Sequence, residues 1–283
     1  MILHILSLMR WEWFKLRHRW MPWVLLTIFV LFTQLTVWIP LIIYKTERGD
    51  VSDSFVLPDS LFISLTAMFG FAIVLMVTLA SSIVGAEYGW GTLRTVMARG
   101  PGRWQFLVAK FAVAGLAGLG GLMIAAIGIG ISSLAASGLA GDVSSSGEMG
   151  GWSDVVLLVI KAAYALTPYI LLAIALTVFT SSATVGLAIT MGYHIAEQIA
   201  VPVLTALVDG FDSIAVFALG INVHALISDL DEMGFIFMIT TLAQGELPGT
   251  GQASVVVLVY SMLFGGAALW LFHRRDITGA KGT

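Results

Sequence analysis

Six long apolar stretches divide the chain, and most polar residues lie in the segments between them. A helix needs about 20 predominantly apolar residues to cross the hydrocarbon core of a bilayer, and each stretch reaches that length. We therefore predict an all-α integral membrane protein with six transmembrane helices. The predicted spans are 22–43, 61–84, 106–134, 153–180, 183–208 and 253–273.

The segment 209–250, between the last two predicted spans, holds two further apolar patches at 213–230 and 233–243. The second patch is too short to cross a bilayer. If only the first crossed, the basic C-terminal residues would lie on the opposite side from the other basic segments. We therefore predict outer re-entrant helices between spans five and six, with a protein of eight spans as the alternative.

The basic residues fix the predicted orientation. Loops that stay in the cytoplasm carry an excess of lysine and arginine, and with six crossings eleven of the fourteen basic residues fall on one side. Both termini and the loop after the second span are therefore predicted to be cytoplasmic, with the protein in the plasma membrane. The residues are Arg10, Lys15, Arg17, Arg19, Arg94, Arg99, Arg103, Lys110, Arg274, Arg275 and Lys281.

Composition agrees with the apolar pattern. The chain is 58% hydrophobic and 11% charged, with a mean hydropathy of +0.95, whereas soluble domains carry about a quarter charged residues. No polar stretch is long enough for a separate soluble domain, so residues 1–283 are interpreted as one transmembrane domain. The first apolar stretch exceeds the 7–15 residues of a signal-peptide core, which favours a retained anchor over a cleaved signal.

The first 21 residues are predicted to form an amphipathic "elbow" helix. Leu6, Met9, Trp13, Leu16 and Trp20 recur at helical spacing on one face, while arginines occupy others. Such a helix lies in the headgroup layer. It serves either as a simple anchor or as a contact surface, with Trp13, Lys15, Arg17 and Arg19 as the candidate residues.

The segment 86–104 is rich in glycine and arginine and follows the second predicted span. Gly85, Gly89 and Gly91 are expected to weaken the end of that span, whereas 92–98 contains no helix breaker. The run Arg99–Arg103 contains Gly-Pro-Gly and should end a short helix over 92–98. An ordinary basic loop is the simpler alternative.

The residues of this segment resemble the cytoplasmic signature of ABC-2-type transporter permeases. That signature has a glutamate followed by GTLR, then a basic turn with glycine and proline, then an apolar run with lysine. The matching residues here are Glu87, Gly91, Thr92, Leu93, Arg94, Arg99, Gly100, Pro101, Arg103 and Lys110.

This resemblance implies a bacterial permease that pairs as a homodimer or heterodimer and exports an unspecified substrate. It also implies that 86–104 contains a coupling helix that binds a separate ATPase subunit, which holds ATP and Mg²⁺. The chain itself lacks the G-x-x-x-x-G-K-[ST] phosphate-binding loop. We therefore predict no catalytic residue and no cofactor in this chain.

Ionisable and polar residues also occur inside the fourth and fifth predicted spans. Charges at such depth are costly and often functional, and a Lys161–Glu197 pair between the spans is expected. These residues either line a translocation path or hold two helices together. His194 and Glu197 share a helical face, but a single such pair is no metal site, and we predict none. The candidate residues are Lys161, Tyr193, His194, Glu197 and Gln198.

Two other function classes remain open from the residues alone. A secondary transporter or channel would need no ATPase, although no internal repeat of the kind common in such proteins is visible. An intramembrane enzyme would need a nucleophile–base or metal constellation, and none is evident. Nucleic-acid binding is not indicated, because the basic residues flank the spans and suit anionic lipids.

Overall fold

The computed structural model describes residues 2–47, 55–98, 102–140, 151–208, 210–228 and 248–274. The regular elements in these ranges are α-helices, as predicted. They are α1 (Ile2–Arg17), α2 (Trp20–Glu47), α3 (Asp59–Ala67), α4 (Phe69–Gly89), α5 (Thr92–Ala98), α6 (Arg103–Ala140), α7 (Trp152–Ala165), α8 (Thr167–Thr180), α9 (Ala183–Leu207), α10 (Asp212–Ala215), α11 (Leu219–Ser228) and α12 (Thr250–Arg274).

Six segments of the described chain are long and apolar enough to cross a membrane, which confirms the predicted number. They are Trp20–Thr46, Phe69–Gly89, Arg103–Ala140, Trp152–Thr180, Ala183–Leu207 and Thr250–Arg274. The second differs from the predicted 61–84, because α3 ends at Ala67 and α4 begins only after Met68. Periodicity could not reveal this break, since apolar residues continue through it.

The fourth span is likewise divided, between α7 and α8, at Leu166. Pro168 has no N–H and so cannot donate to the Tyr164 carbonyl, as a residue four positions later normally does in a helix. The Thr167 hydroxyl donates to that carbonyl instead, at 2.7 Å. The break therefore leaves no orphaned acceptor at Tyr164.

Helix α6 is the longest element and packs against α1, α2, α3 and α4. Contacts along it show how the neighbours are staggered. Lys110 reaches the Ile83 carbonyl near the α4 C-terminus, and the Ser133 hydroxyl donates to Ser60 of α3 at 2.7 Å. Consequently the α4 C-terminus, the first turns of α6 and α1 lie at the same end of the bundle.

A second group of helices is centred on α8, which packs against α4, α9 and α12, and α9 also packs against α4. The turn between α8 and α9 is tight, with Ser181 at φ +54°. Gly85 of α4 faces this turn so closely that a Cβ there would lie 2.6 Å from Ala183 Cα. Helix α4 continues through Gly85 to Gly89, so Gly85 does not end the helix, and its missing side chain permits close helix contact.

Between α9 and α12, the described part of 209–250 contains α10 and α11. Asn222 of α11 is buried and donates to the carbonyls of Val216 and Ala218 at 2.7 and 2.8 Å. Helix α11 packs against α12 and α7. The second apolar patch, 233–243, lies outside the described residues, so re-entry into the membrane stays a prediction.

Candidate coupling site

The short helix predicted after the second span is present as α5. Helix α4 ends at Gly89, and the Gly91 N–H donates to the Tyr88 carbonyl at 3.2 Å. Gly91 has φ +66°, a left-handed conformation that glycine adopts at little cost. This turn redirects the chain so that α5 starts at Thr92.

Glu87, in the last turn of α4, contacts both sides of this turn. Its carboxylate is nearly buried, with the residue 3% exposed. One oxygen, Oε1, lies 2.7 Å from Lys15 Nζ of α1 and 3.3 Å from Lys110 Nζ of α6. The other, Oε2, accepts a hydrogen bond from Thr92 Oγ1 at 2.5 Å. A single carboxylate therefore joins α1, α4, α5 and α6.

Lys110 is fully buried at the centre of the same group. Its ammonium lies 2.9 Å from Glu12 Oε2, donates to the Ile83 carbonyl at 3.0 Å and stands 4.7 Å above the Phe106 ring. Glu12 also pairs with Lys15, at 2.5 Å between Oε1 and Nζ. Each of the three ammonium hydrogens of Lys110 thus has an acceptor in reach, counting Glu87.

We refer to Glu12, Lys15, Glu87 and Lys110 as the charge cluster. Burying ions costs several kcal/mol each unless each charge is paired and hydrogen-bonded, and here two carboxylates balance two ammonium groups. Partial burial alone would lower the pKa of Lys15, but hydrogen bonds and attraction from Glu12 and Glu87 outweigh it and raise that pKa. Lys15 therefore stays charged at neutral pH, and its contribution is lost only when the pH rises through the raised pKa.

The remaining predicted coupling residues are distributed around the cluster or lie outside the described chain. Leu93, on α5, is buried at 7% exposure. Arg103, at the start of α6, donates to the last carbonyls of α12, those of Phe272 and His273, at 3.4 and 2.6 Å. Nothing is described for the Arg94 side chain, or for Arg99, Gly100 and Pro101.

Of the predicted elbow residues, Lys15 belongs to the charge cluster and the others surround it. Trp13 is 42% exposed, and Arg17 is exposed with its guanidinium over the Phe14 ring. Arg19 lies 4.7 Å above the Trp90 ring, next to the α4 C-terminus. Helix α1 is present as predicted, and its position in the headgroup layer stays a prediction.

Sequence reasoning missed the role of Glu12, and it noted Lys110 only as a residue that matches the signature. A lone glutamate within a basic amphipathic helix was the available signal at Glu12. At Lys110 the signal was a lysine inside an otherwise apolar run, FLVAKFAVAG. The sequence does not indicate that these two residues form an ion pair, because Lys110 lies 98 positions from Glu12.

The polar residues of the fifth span form a second group, around α9. His194 is buried, and its ring contacts that of Tyr169 edge-on at 5.2 Å. Glu197 Oε1 accepts from the Gly220 N–H of α11 at 2.8 Å. Gln198 lies beside the same glycine, 3.7 Å from where its Cβ would stand.

Glu197 thus has a partner other than Lys161, the one expected from the sequence. Lys161 lies on α7, which packs against α6 and α11, whereas α9 packs against α8 and α4. Tyr193 is half-buried on α9, near Glu197.

A comparison with known protein families identifies the family of this chain. The model of the ABC-2 family transporter protein matches residues 8–197, a range that runs from α1 through most of α9 and contains the whole charge cluster. No curated protein matches the chain. Because the match covers well over half of the chain and the structure has six helices suited to cross a membrane, this protein belongs to the ABC-2 family and is a membrane permease of an ABC transporter.

Proposed function

We propose that this chain is the permease subunit of an ATP-binding cassette exporter in the plasma membrane. A separate ATPase subunit, which holds ATP and Mg²⁺, binds the cytoplasmic segment 86–104. Closure of that ATPase moves the segment and the spans attached to it. The substrate then leaves the cell through a path between two permease subunits.

The charge cluster is the observation that carries this proposal. Force applied to α5 would reach Glu87 through Thr92, at 2.5 Å, and Glu87 contacts Lys15 and Lys110 directly. Buried ion pairs hold a fixed geometry when every charge is satisfied. Movement of α5 would therefore displace α1, α4 and α6 together rather than bend a loop.

The surface of α9 is the proposed contact for the second permease subunit. Few residues of its membrane-crossing segment are buried within the chain, 11% against 61% for α4. Its polar residues Tyr193, His194, Glu197 and Gln198 are buried or half-buried, so the exposed face is formed mainly by apolar side chains. We place against this face the second subunit that the family resemblance implies.

The orientation can be tested with single cysteines, because the chain contains none. Thr95 on α5 and Lys45 near the end of α2 are both exposed. A membrane-impermeant maleimide should label Lys45→Cys in intact cells and Thr95→Cys only after permeabilisation. Labelling of Thr95→Cys in intact cells would place α5 outside and contradict the proposal.

Coupling to an ATPase can be tested by reversing the charge at Arg94 on α5. Charge reversal at a docking surface costs enough to reduce binding about tenfold or more. We expect affinity-purified wild-type chain to retain an ABC ATPase and Arg94→Glu to lose most of it. Glu87 is a less specific test, since its removal also unbalances the buried charge cluster.

The matched control is Lys45→Glu, which reverses an exposed charge near the C-terminus of α2. This control should retain the ATPase as the wild type does. Equal retention by Arg94→Glu and wild type would exclude the coupling role of α5. Recovery of wild-type chain with no ATPase, together with transport in its absence, would instead establish a secondary transporter or channel.

A further inference from the structure

A cavity of about 200 Å³ lies between α1, α2, α4 and α6, on a different side of α1 from the charge cluster. Its walls are aliphatic and aromatic, and the small residues Ala117, Gly118, Gly120 and Gly121 of α6 leave space for it. Gly121 shows this directly, since the nearest atom to a Cβ built there is Leu26 Cδ1 at 3.8 Å. Leu166, at the break of the fourth span, forms part of the inner wall.

One charged residue, Arg17 at the end of α1, lines this cavity. Its guanidinium is exposed and rests on the Phe14 ring at 5.4 Å. No carboxylate of the described residues forms an ion pair with it. Trp23, also on the wall, donates its indole N–H to the Arg17 carbonyl at 2.8 Å, which fixes the corner between α1 and α2.

We propose that this cavity binds one anionic phospholipid, with an acyl chain between the helices and the phosphate on Arg17. The cavity is apolar inside and cationic at one edge, which matches the two parts of such a lipid. Exposed tryptophans at Trp13 and Trp23 mark the level of the headgroups, where aromatic belts form. Under the orientation proposed above, the lipid belongs to the cytoplasmic leaflet.

Other occupants fit the cavity less well. A transmembrane helix is about 10–12 Å across with its side chains, too wide for this volume. A polar solute would find Arg17 at the edge but no free polar side chain among the deeper lining residues. By comparison, an apolar cavity of about 150 Å³ suffices to hold benzene, so a segment of acyl chain is of suitable size.

The test is native mass spectrometry of the purified full chain, titrated with phosphatidylglycerol or phosphatidylcholine of identical acyl chains. Wild type should bind one phosphatidylglycerol about fivefold more tightly than phosphatidylcholine, as expected for one arginine near a headgroup. Arg17→Gln should remove that preference. Gly121→Leu, which fills the cavity, should weaken binding of both lipids by more than about tenfold.

Two control variants separate this site from general lipid adhesion. Arg10→Gln removes an exposed arginine from α1 away from the cavity, and Gly130→Leu enlarges an α6 residue in open space. Both should bind phosphatidylglycerol as wild type does. The proposal is overturned if Arg17→Gln keeps the preference, or if Gly121→Leu matches Gly130→Leu.

A photoreactive group near the end of the phosphatidylglycerol acyl chain gives a result that does not depend on variants. It should label peptides containing Leu26 or Met76, both on the cavity wall. Absence of label there, with crosslinks to a second protein chain instead, would show that protein occupies the cavity. Because no ATPase takes part, the lipid site can fail while the coupling role of α5 stands, and the reverse also holds.

Discussion

Replacement of Lys110 by methionine should cause the largest loss of stability of any single change at the coupling site. Lys110 is fully buried and contacts Glu12 and Glu87 at 2.9 and 3.3 Å. Methionine has a similar length but no charge, so the two carboxylates would retain only Lys15 as a counterion. Removing one partner of a buried ion pair costs about 3–5 kcal/mol. We expect a strong decrease in folded yield and in the thermal unfolding temperature in detergent.

A second substitution should restore much of that loss. In Lys110→Met with Glu12→Gln, the charge cluster is again neutral, because Lys15 remains opposite Glu87 at 2.7 Å. Comparison of the two single variants and the double variant measures their coupling. Strictly additive losses would mean that the charges do not interact as the geometry indicates. Lys45→Met removes an exposed lysine near the end of α2 and should leave stability close to that of wild type.

The second large effect is expected at Gly85, where α4 meets the start of α9. A Cβ at this position would stand 2.3 Å from Ala183 Cβ, 2.6 Å from its Cα and 2.8 Å from its N. Backbone atoms cannot move aside as a flexible side chain can, so α9 itself would have to shift. Overpacking of this kind typically costs about 1–3 kcal/mol, and Gly85→Ala should lower the unfolding temperature measurably.

Gly89 provides the matched control, since it lies one turn later on the same helix. No atom lies within 4 Å of a Cβ built there, and alanine favours helix over glycine by up to about 1 kcal/mol. Gly89→Ala should therefore match or exceed the wild type in stability. Equal unfolding temperatures for the two alanine variants would contradict the close contact between α4 and Ala183.

The sequence predicted the number of spans because hydrophobic length is a local property. It could not predict that Met68 ends α3, or that Thr167 supports a break before Pro168, since both depend on how particular hydrogen bonds are rearranged. The contact made at Gly85 could not be predicted for a related reason. A glycine that weakens a helix and one that permits helix contact look alike in a sequence.

The candidate site was predictable only in part. Glu87 and Thr92 could be identified from the segment itself, but Lys15 and Lys110, the charged partners of Glu87, lie on distant elements. Residues that form a long-range ion pair have no characteristic sequence spacing, so such a pair cannot be predicted from the sequence alone. The same limit applies to the expected Lys161–Glu197 pair. Two spans can follow each other in the chain without their ionisable side chains being in contact, and Glu197 instead accepts from the Gly220 N–H.

The balance of charge among Glu12, Lys15, Glu87 and Lys110 has an electrical consequence. Two negative and two positive groups sum to zero, and a membrane voltage exerts force in proportion to net charge, about 2.3 kcal/mol per elementary charge per 100 mV. A neutral quartet that is largely shielded from solvent is also screened little by salt. The charge cluster should therefore keep α1, α4 and α6 in contact equally well with and without a membrane potential, and across a wide range of salt concentration.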